Sequence, residues 1–515
     1  MASTANLRSR RSAAQLHALA GVEREIRAQD SHSRRKYLRE FTHAFTDYDS
    51  VLDRQQIQNA LHAADVVLIG DYHALPAAQR YAASLIEQRA LAGDRPVVLG
   101  VETIFARDQH ILDEWWRREI DENELRQRIR FDLDWGYDWS PFYELLVAAR
   151  DHGEAVYGLD CMPRGDLRRA PLHDRHAADR IAQIRKRHPD AVIMVLFGES
   201  HLAPSHLPRI LKQRLPGQRV LTVLQNVDAL YWRVAGESCQ QVHAVRVTED
   251  VVCVFNSTPL EKYESYRLCL DRWSETESGA PDLTPAVYNL IDGLVRFLNI
   301  NCYSPHNGTQ PKLLVDLLPE VYCHPSDQAL SKLLSAVDDP GMRTAMFQRL
   351  EERGSIYVAR TNTLFIREFQ LPYAAQEVAR FLYHACRGLP ENRGLNHDHG
   401  LTPGDAAYAK ALETALVALA ARVLCPFGTS LAHTESEPEP DSLGLALGDG
   451  LYRSYEQGRI GRTVLRRLFL TQLQEPGAAR KAYSEAARKA GISIRLRRAL
   501  DCRALDSAGH CRTKL

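Results

Sequence analysis

"VVLIGDYH" occupies Val66–His73 and "VIMVLFGESH" occupies Val192–His201. Each is an apolar run that stops at Gly, an acid, one further residue and His. Short apolar runs rich in Val and Ile read as strands covered on both faces, as in a parallel sheet. In an extended segment, residues i and i+2 share a side. Asp71 with His73, and Glu199 with His201, are therefore expected to present an acid and an imidazole together. Gly70 and Gly198 let the backbone turn sharply and keep room beside the acid. One device used twice leads to the expectation that both motifs are halves of one site.

Working outward, further short apolar runs fall at Pro96–Val101, Ala155–Leu159 and Arg219–Leu224. Helical patterns separate them. Pro76 suits a first helical turn, and Ser140-Pro141 reads as a cap followed by a first turn. The stretch His176–His188 is also helical in pattern. Strands alternating with helices predict βαβ units. Val242–Val247 and Val251–Phe255 are expected to close the sheet at its edge. The predicted fold class is α/β, a mostly parallel sheet flanked by helices, followed by a mainly α-helical C-terminal domain. The expected divisions are residues 1–60, a polar, basic helical lead-in; 61–270, the α/β domain; and 280–515, the helical domain. That last part carries a short hairpin in "SIYVARTNTLFIREF". It is broken by loops at "RGLPENRGLNHDHGLTPGD" and at the acidic "HTESEPEPDSLG".

Composition narrows the function. Lys and Arg together number 65, as do Asp and Glu, so the formal net charge is zero. That gives no support to a nucleic-acid role. Ten cysteines without a C-x-x-C pair do not make a disulfide scaffold, and those in apolar runs, such as Cys253, Cys269 and Cys386, read as buried free thiols. No stretch approaches the roughly 18 apolar residues of a membrane span. The N-terminus carries an Arg-Arg pair, but its apolar stretch is short and broken by Gln15 and His17. It reads as an amphipathic helix rather than a cleaved signal, and a cytoplasmic location is expected.

All strand C-termini of a parallel sheet lie on one edge, where ligands usually bind. Here that edge is expected to gather Asp71, His73, Glu102, Asp160, Glu199 and His201. Imidazoles with carboxylates suit two kinds of chemistry. They ligate a divalent metal, which lowers the pKa of a bound water. They also act without metal, with His as general base and a carboxylate orienting it. The structural alternative is that the acids cap the following helices and the imidazoles bond to backbone.

"GDYHALPAAQ", "GVETIFARDQHILDEW", "WGYDWSPFYELLVAARDHGEAVYGLD" and "GESH" together resemble, in the same order, the motifs of the ChaN-like domain of the haem-binding uptake and Tiki superfamily. That superfamily also takes in TraB-like proteins and resembles the erythromycin esterases. The similarity spans roughly residues 60–260. It implies an α/β domain with its site at the strand ends and with His73, His201 and Glu102 as functional positions. Tiki-type relatives imply a metal-dependent protease; ChaN-type relatives imply haem binding with tyrosine among the ligands, for which Tyr72 and Tyr137 lie nearest the matching motifs. The first motif departs from the family in having Asp71 where Glu is usual, one methylene shorter. No lipoprotein signal is read ahead of the domain, so a role in surface haem uptake is not expected to transfer, and the helical half lies outside it.

Two functions follow as expectations. One is a binding protein for haem, iron or another metal-bearing ligand, with a divalent metal or haem as cofactor and His73, His201 and Glu102 as metal ligands. The other is a metal-dependent hydrolase of a peptide or ester substrate. There the same three residues hold a metal or share base duties, and Glu199 or Asp71 handles a proton. A third option is a scaffold with a vestigial site. Arg164, in "LDCMPRGD", is placed to meet an anionic group such as a carboxylate or haem propionate, with a structural salt bridge as its rival. Trp135, Tyr137, Trp139 and Phe142 read as core, or as the wall of an apolar slot. Gln79 and Gln109 read as substrate-bonding or as ordinary helix-surface residues. The loop "NHDHG" at Asn396–Gly400, the pair Cys323-His324 and the Arg-rich runs Arg34–Arg39 and Arg495–Arg498 read as solvated or structural.

Overall fold

A computed structural model describes residues 4–29, 36–161, 170–237, 242–274, 282–300, 303–304, 312–313, 317–323, 330–331, 334, 340–389, 403–426, 439–473 and 475–492. The chain divides into two compact units. One comprises residues 23–234 and 240–276; the other comprises 1–22, 235–239 and 277–515.

The first unit is built on an eight-stranded sheet. Its strands are β1 (Ser50–Leu52), β2 (Val66–Asp71), β3 (Val97–Phe105), β4 (Ala155–Asp160), β5 (Val192–Gly198), β6 (Val220–Gln225), β7 (Ala244–Thr248) and β8 (Val251–Val254). The spatial order is β1-β7-β8-β6-β2-β5-β3-β4. Every residue of β2, β3, β5 and β6 is buried. This is why those segments read as continuous apolar runs rather than alternating ones.

The sheet is mixed: parallel through its centre, as expected, and antiparallel along one edge. Strands β8, β6, β2, β5, β3 and β4 run parallel to their neighbours. β7 pairs antiparallel with both β8 and β1. The pair β7–β8 was expected to close the edge, but β1 lies outside it. β1 is three residues long, and only pairing across about 190 positions of chain turns it into a strand, so no local pattern announces it.

The connection order locates the crevice. From β2 the chain moves outward to β3 and β4, then returns to place β5 between β2 and β3 and β6 on the far side of β2. Strands on the two sides of β2 and β5 are thus reached in opposite directions. This is the switch point at which open α/β sheets bind ligands beyond the strand C-termini. β3 extends to Phe105, past the expected end at Val101, so Glu102 lies within a strand rather than after it. Its pairing with β4 shifts register between Val101 and Phe105.

The helices flanking the sheet follow their sequence signals. Helix Pro76–Leu91 carries Pro in its first turn. Helix Trp139–His152 is capped by Asp138, whose side chain accepts from the Ser140 backbone NH, two positions before the expected cap at Ser140. Helix Ala170–Arg187 begins six residues before its expected start.

The second unit is mostly helical, with helices Thr284–Leu298, Pro340–Arg353, Leu371–Arg387, Pro403–Leu424, Glu439–Glu456, Arg462–Leu470 and Ala478–Ala490. The expected hairpin is present, as β12 (Ser355–Val358) against β13 (Thr363–Ile366). A parallel strand, β11 (Glu320–Cys323), joins it, and β9 (Tyr303–Ser304) and β10 (Lys312–Leu313) form a separate pair. The acidic stretch read as a loop turns helical from Glu439, with Pro440 in the first turn, where its missing NH costs nothing. Gly444 and Gly448 let that helix sit close on Pro403–Leu424. A Cβ at either would come within 2.6 Å of the Ala411 or Ala415 carbonyl oxygen. Residues 396–400, 495–498, His324 and Arg34 lie outside the described residues. No described helix is long and apolar enough to cross a membrane.

Candidate functional site

The two motifs end neighbouring strands. β2 pairs with β5 in parallel, Gly70 opposite Phe197 and Asp71 opposite Gly198. Pairing in this register sets the chain after Asp71 beside the chain after Gly198. Gln225, on β6, donates to the Gly70 and Ala78 carbonyls at 2.8 and 3.1 Å and fixes the turn between them.

His73 is oriented at both ends. Its Nδ1 lies 2.7 Å from Asp71 Oδ2 and its Nε2 lies 3.7 Å from Glu102 Oε2. Buried Gln79 donates to the other Asp71 oxygen, so this residue supports the motif from inside the fold rather than facing solvent. Trp135, Tyr137 and Phe142 stand around the imidazole, with ring centroids at 5.3, 5.3 and 6.5 Å. All three are also part of the hydrophobic core. Gln109 serves as structure: it donates to the Val156 carbonyl and accepts from the Gly158 NH.

His201 has the same arrangement from a different source. Its Nδ1 lies 2.6 Å from Asp174 Oδ1, and fully buried Asp174 also accepts from the Tyr37 hydroxyl at 2.6 Å. Burial opposes a charged imidazole here. The Asp174 hydrogen bond and the charges of Glu102, Asp174 and Asp160 outweigh it and hold the His201 pKa above its ordinary value. Tyr37 stacks on His206 at 3.7 Å, and His206 bonds to the Ser200 carbonyl and to Glu40. Tyr37 and Glu40 come from helix Lys36–Ala44, inside the segment read as a lead-in.

Gly198 stands between these groups. A Cβ at this position would lie 3.0 Å from Glu102 Oε2, 3.3 Å from His73 Nε2 and 3.6 Å from His201 Cδ2. The Gly198 NH donates to Glu102 Oε2. His73, Glu102 and His201 therefore converge on one glycine.

Glu199 does not join them. The chain after β5 turns at once into a 3-10 helix, Glu199–Leu202, so residues 199 and 201 do not alternate as in a strand. The expected pairing of Glu199 with His201 is corrected accordingly. Glu199 turns to Lys262, whose ammonium lies 2.9 and 3.1 Å from its two oxygens; both residues are buried. Burial raises the Glu199 pKa and opposes the charge on Lys262, while the mutual attraction holds Lys262 charged.

Tyr72 belongs to that second cluster. Its ring lies under the Lys262 ammonium at 4.6 Å and edge-on to Tyr266. Burial, then the charges of Tyr263 and Glu199, raise its phenol well above the ordinary tyrosine value. Tyr72 thus packs with the Lys262–Glu199 pair. Tyr137 is 8% exposed and packs between His73 and Trp273. Arg164 lies outside the described residues. The imidazole and carboxylate donors around Gly198 are of the types that ligate a divalent cation.

A further group lies along the same edge. Asp160, at the end of β4, has Oδ1 3.0 Å from His173 Nδ1. Among the described residues Asp160, Cys161 and His173 place one donor atom each within 4.8 Å of one another. His73, Glu102 and His201 surround Gly198 without closing to that spacing. The Asp160 bond raises the pKa of His173.

The model of the family described as haem-binding uptake, Tiki superfamily, ChaN matches residues 57–170. A ChaN-like domain occupies this part of the chain. The match takes in Asp71, His73, Glu102 and Asp160; His173, Asp174 and His201 lie beyond it. A solved structure described as cofacial heme binding to ChaN of Campylobacter jejuni is 14% identical. It covers 34% of this chain and 86% of its own, with a TM-score of 0.25. No curated protein matches the chain. Sequence reading missed Asp174, Tyr37 and Lys262. Asp174 stands two residues before His176 in "HDRHAAD", and no spacing rule links it to a motif 27 residues away.

Proposed function

We propose that the ChaN-like domain binds a divalent metal ion at the strand ends, on the Nε2 atoms of His73 and His201 and a carboxylate oxygen of Glu102. The observation that carries this reading is that each imidazole is tied at Nδ1 by a buried carboxylate, Asp71 for one and Asp174 for the other. A carboxylate on Nδ1 fixes the tautomer with the proton there and leaves Nε2 as the donor, the usual arrangement behind a metal-bound histidine. A metal bound there supplies Lewis acidity and a water of lowered pKa. The chain's own residues do the positioning. Asp71 and Asp174 hold the rings, Gly198 leaves space, and Trp135, Tyr137 and Phe142 exclude water from one side of His73.

A second reading is hydrolysis of an amide or ester bond by the same residues. It is favoured by the Glu102 carboxylate standing 3.7 Å from His73 Nε2, close enough for the two to share a proton through a small shift. Glu199 has no part in either reading, because its charge is engaged by Lys262. The haem association named by the family rests, in this chain, on Tyr137 beside His73 rather than on Tyr72.

Elemental analysis of the full-length protein beside His73→Ala/His201→Ala tests the proposal, with haemin titration in parallel. Near-stoichiometric zinc, manganese or iron that is lost in the double variant is the expected result. Equal metal content in both proteins contradicts it. A Soret band that titrates to one equivalent and depends on Tyr137 moves the reading to haem.

A further inference from the structure

We propose that Asp160, Cys161 and His173 form a second metal site, for zinc or another thiophilic divalent ion, with a donor set separate from that of the paired motifs. This does not depend on the strand-end proposal, since the two sets share no residue.

The site is assembled by the fold. Asp160 is the last residue of β4, and Cys161 follows it directly. His173 stands in the first turn of helix Ala170–Arg187. The Asp160 side chain is 3% exposed and that of His173 17%. Asp160 Oδ1 lies 3.0 Å from His173 Nδ1 and accepts from the Cys161 NH at 2.7 Å. A structural Asp–His pair would need no thiol, yet the sulfur lies within 4.8 Å of both partners.

The donor types set the ion. One thiolate, one imidazole and one carboxylate match the three-ligand sets that hold zinc with a fourth position open. Magnesium, calcium and manganese prefer oxygen alone. A cavity lies further along the helix that carries His173. One turn on, His176 lines this cavity, of about 290 Å³, with Arg107, Asp179 and Arg180. Its Nε2 is buried without a partner among the described residues.

Cobalt(II) alone, added to reduced, chelator-stripped full-length protein, reads the site directly. A thiolate-to-cobalt charge-transfer band is expected. Cys161→Ser should abolish the band, and His173→Gln should weaken cobalt binding about tenfold or more. His73→Ala/His201→Ala should keep it. No band in folded wild-type protein overturns the proposal, as does a band that survives Cys161→Ser. A band lost in His73→Ala/His201→Ala overturns the separate donor set. If Cys161→Ser does not fold by circular dichroism, alkylation of wild-type Cys161 by iodoacetamide gives the same answer. Zinc should slow it at least tenfold, and an unchanged rate refutes the site.

Discussion

Asp174 Oδ1 lies 2.6 Å from His201 Nδ1, although 27 residues of chain separate them. Asp71 Oδ2 lies 2.7 Å from His73 Nδ1, two residues away. The same orientation of an imidazole is thus achieved once by a local neighbour and once by a helix brought in from elsewhere. Asp174→Ala should leave His201 free to rotate and lower metal affinity about 10- to 100-fold, the usual cost of losing such a partner. Isothermal titration with zinc on the full-length protein measures it. Tyr37→Phe, which removes only the hydroxyl donated to Asp174, should show a smaller loss in the same direction.

Gly198 is the tightest point of the site. Gly198→Ala puts a methyl group 3.0 Å from Glu102 Oε2 and 3.3 Å from His73 Nε2, so one of them must move. The expected result is lost metal binding with a destabilisation of about 1–3 kcal/mol. Gly461→Ala is the control, because nothing lies within 4 Å of its added Cβ. Urea unfolding of both variants separates local crowding from a general effect of replacing glycine.

Lys262 and Glu199 form a buried pair away from the two imidazoles. Lys262→Met leaves a buried carboxylate without its partner and should cost about 3–5 kcal/mol. Lys262→Met with Glu199→Leu should cost less than Lys262→Met alone. Metal affinity of the folded double variant should match wild type. A large loss of metal binding would show that Glu199 serves the site after all.

The metal-free protein should lose stability as pH rises. His201 and His173 both have folded-state pKa values above the ordinary 6.5, so their charged forms favour the native state. That contribution is complete below about pH 6.5 and fades as pH rises through the raised values. Urea midpoints of chelator-treated protein should therefore fall above about pH 6.5. Asp160→Asn with Asp174→Asn should flatten the fall. A midpoint that climbs over this range would contradict the assigned ion pairs.

The sequence by itself determined the four fully buried strands β2, β3, β5 and β6, because burial on both faces writes each as an unbroken apolar run. It also determined that Asp71 and His73 meet, since i and i+2 share a side in extended chain. Glu102 was legible as a strand-end acid, although β3 continues past it. The same rule failed at Glu199 and His201, where a 3-10 turn replaces the strand. Lys262, 63 residues further on, then decides where Glu199 points. Asp174, Tyr37, the strand β1 and the meeting of Cys161 with His173 left no local trace. Periodicity records which face of an element is buried, and it carries no information on which distant side chain will be packed against it. Only the tertiary structure, by setting β5 between β2 and β3, placed both motifs around Gly198 and supplied His201 with Asp174.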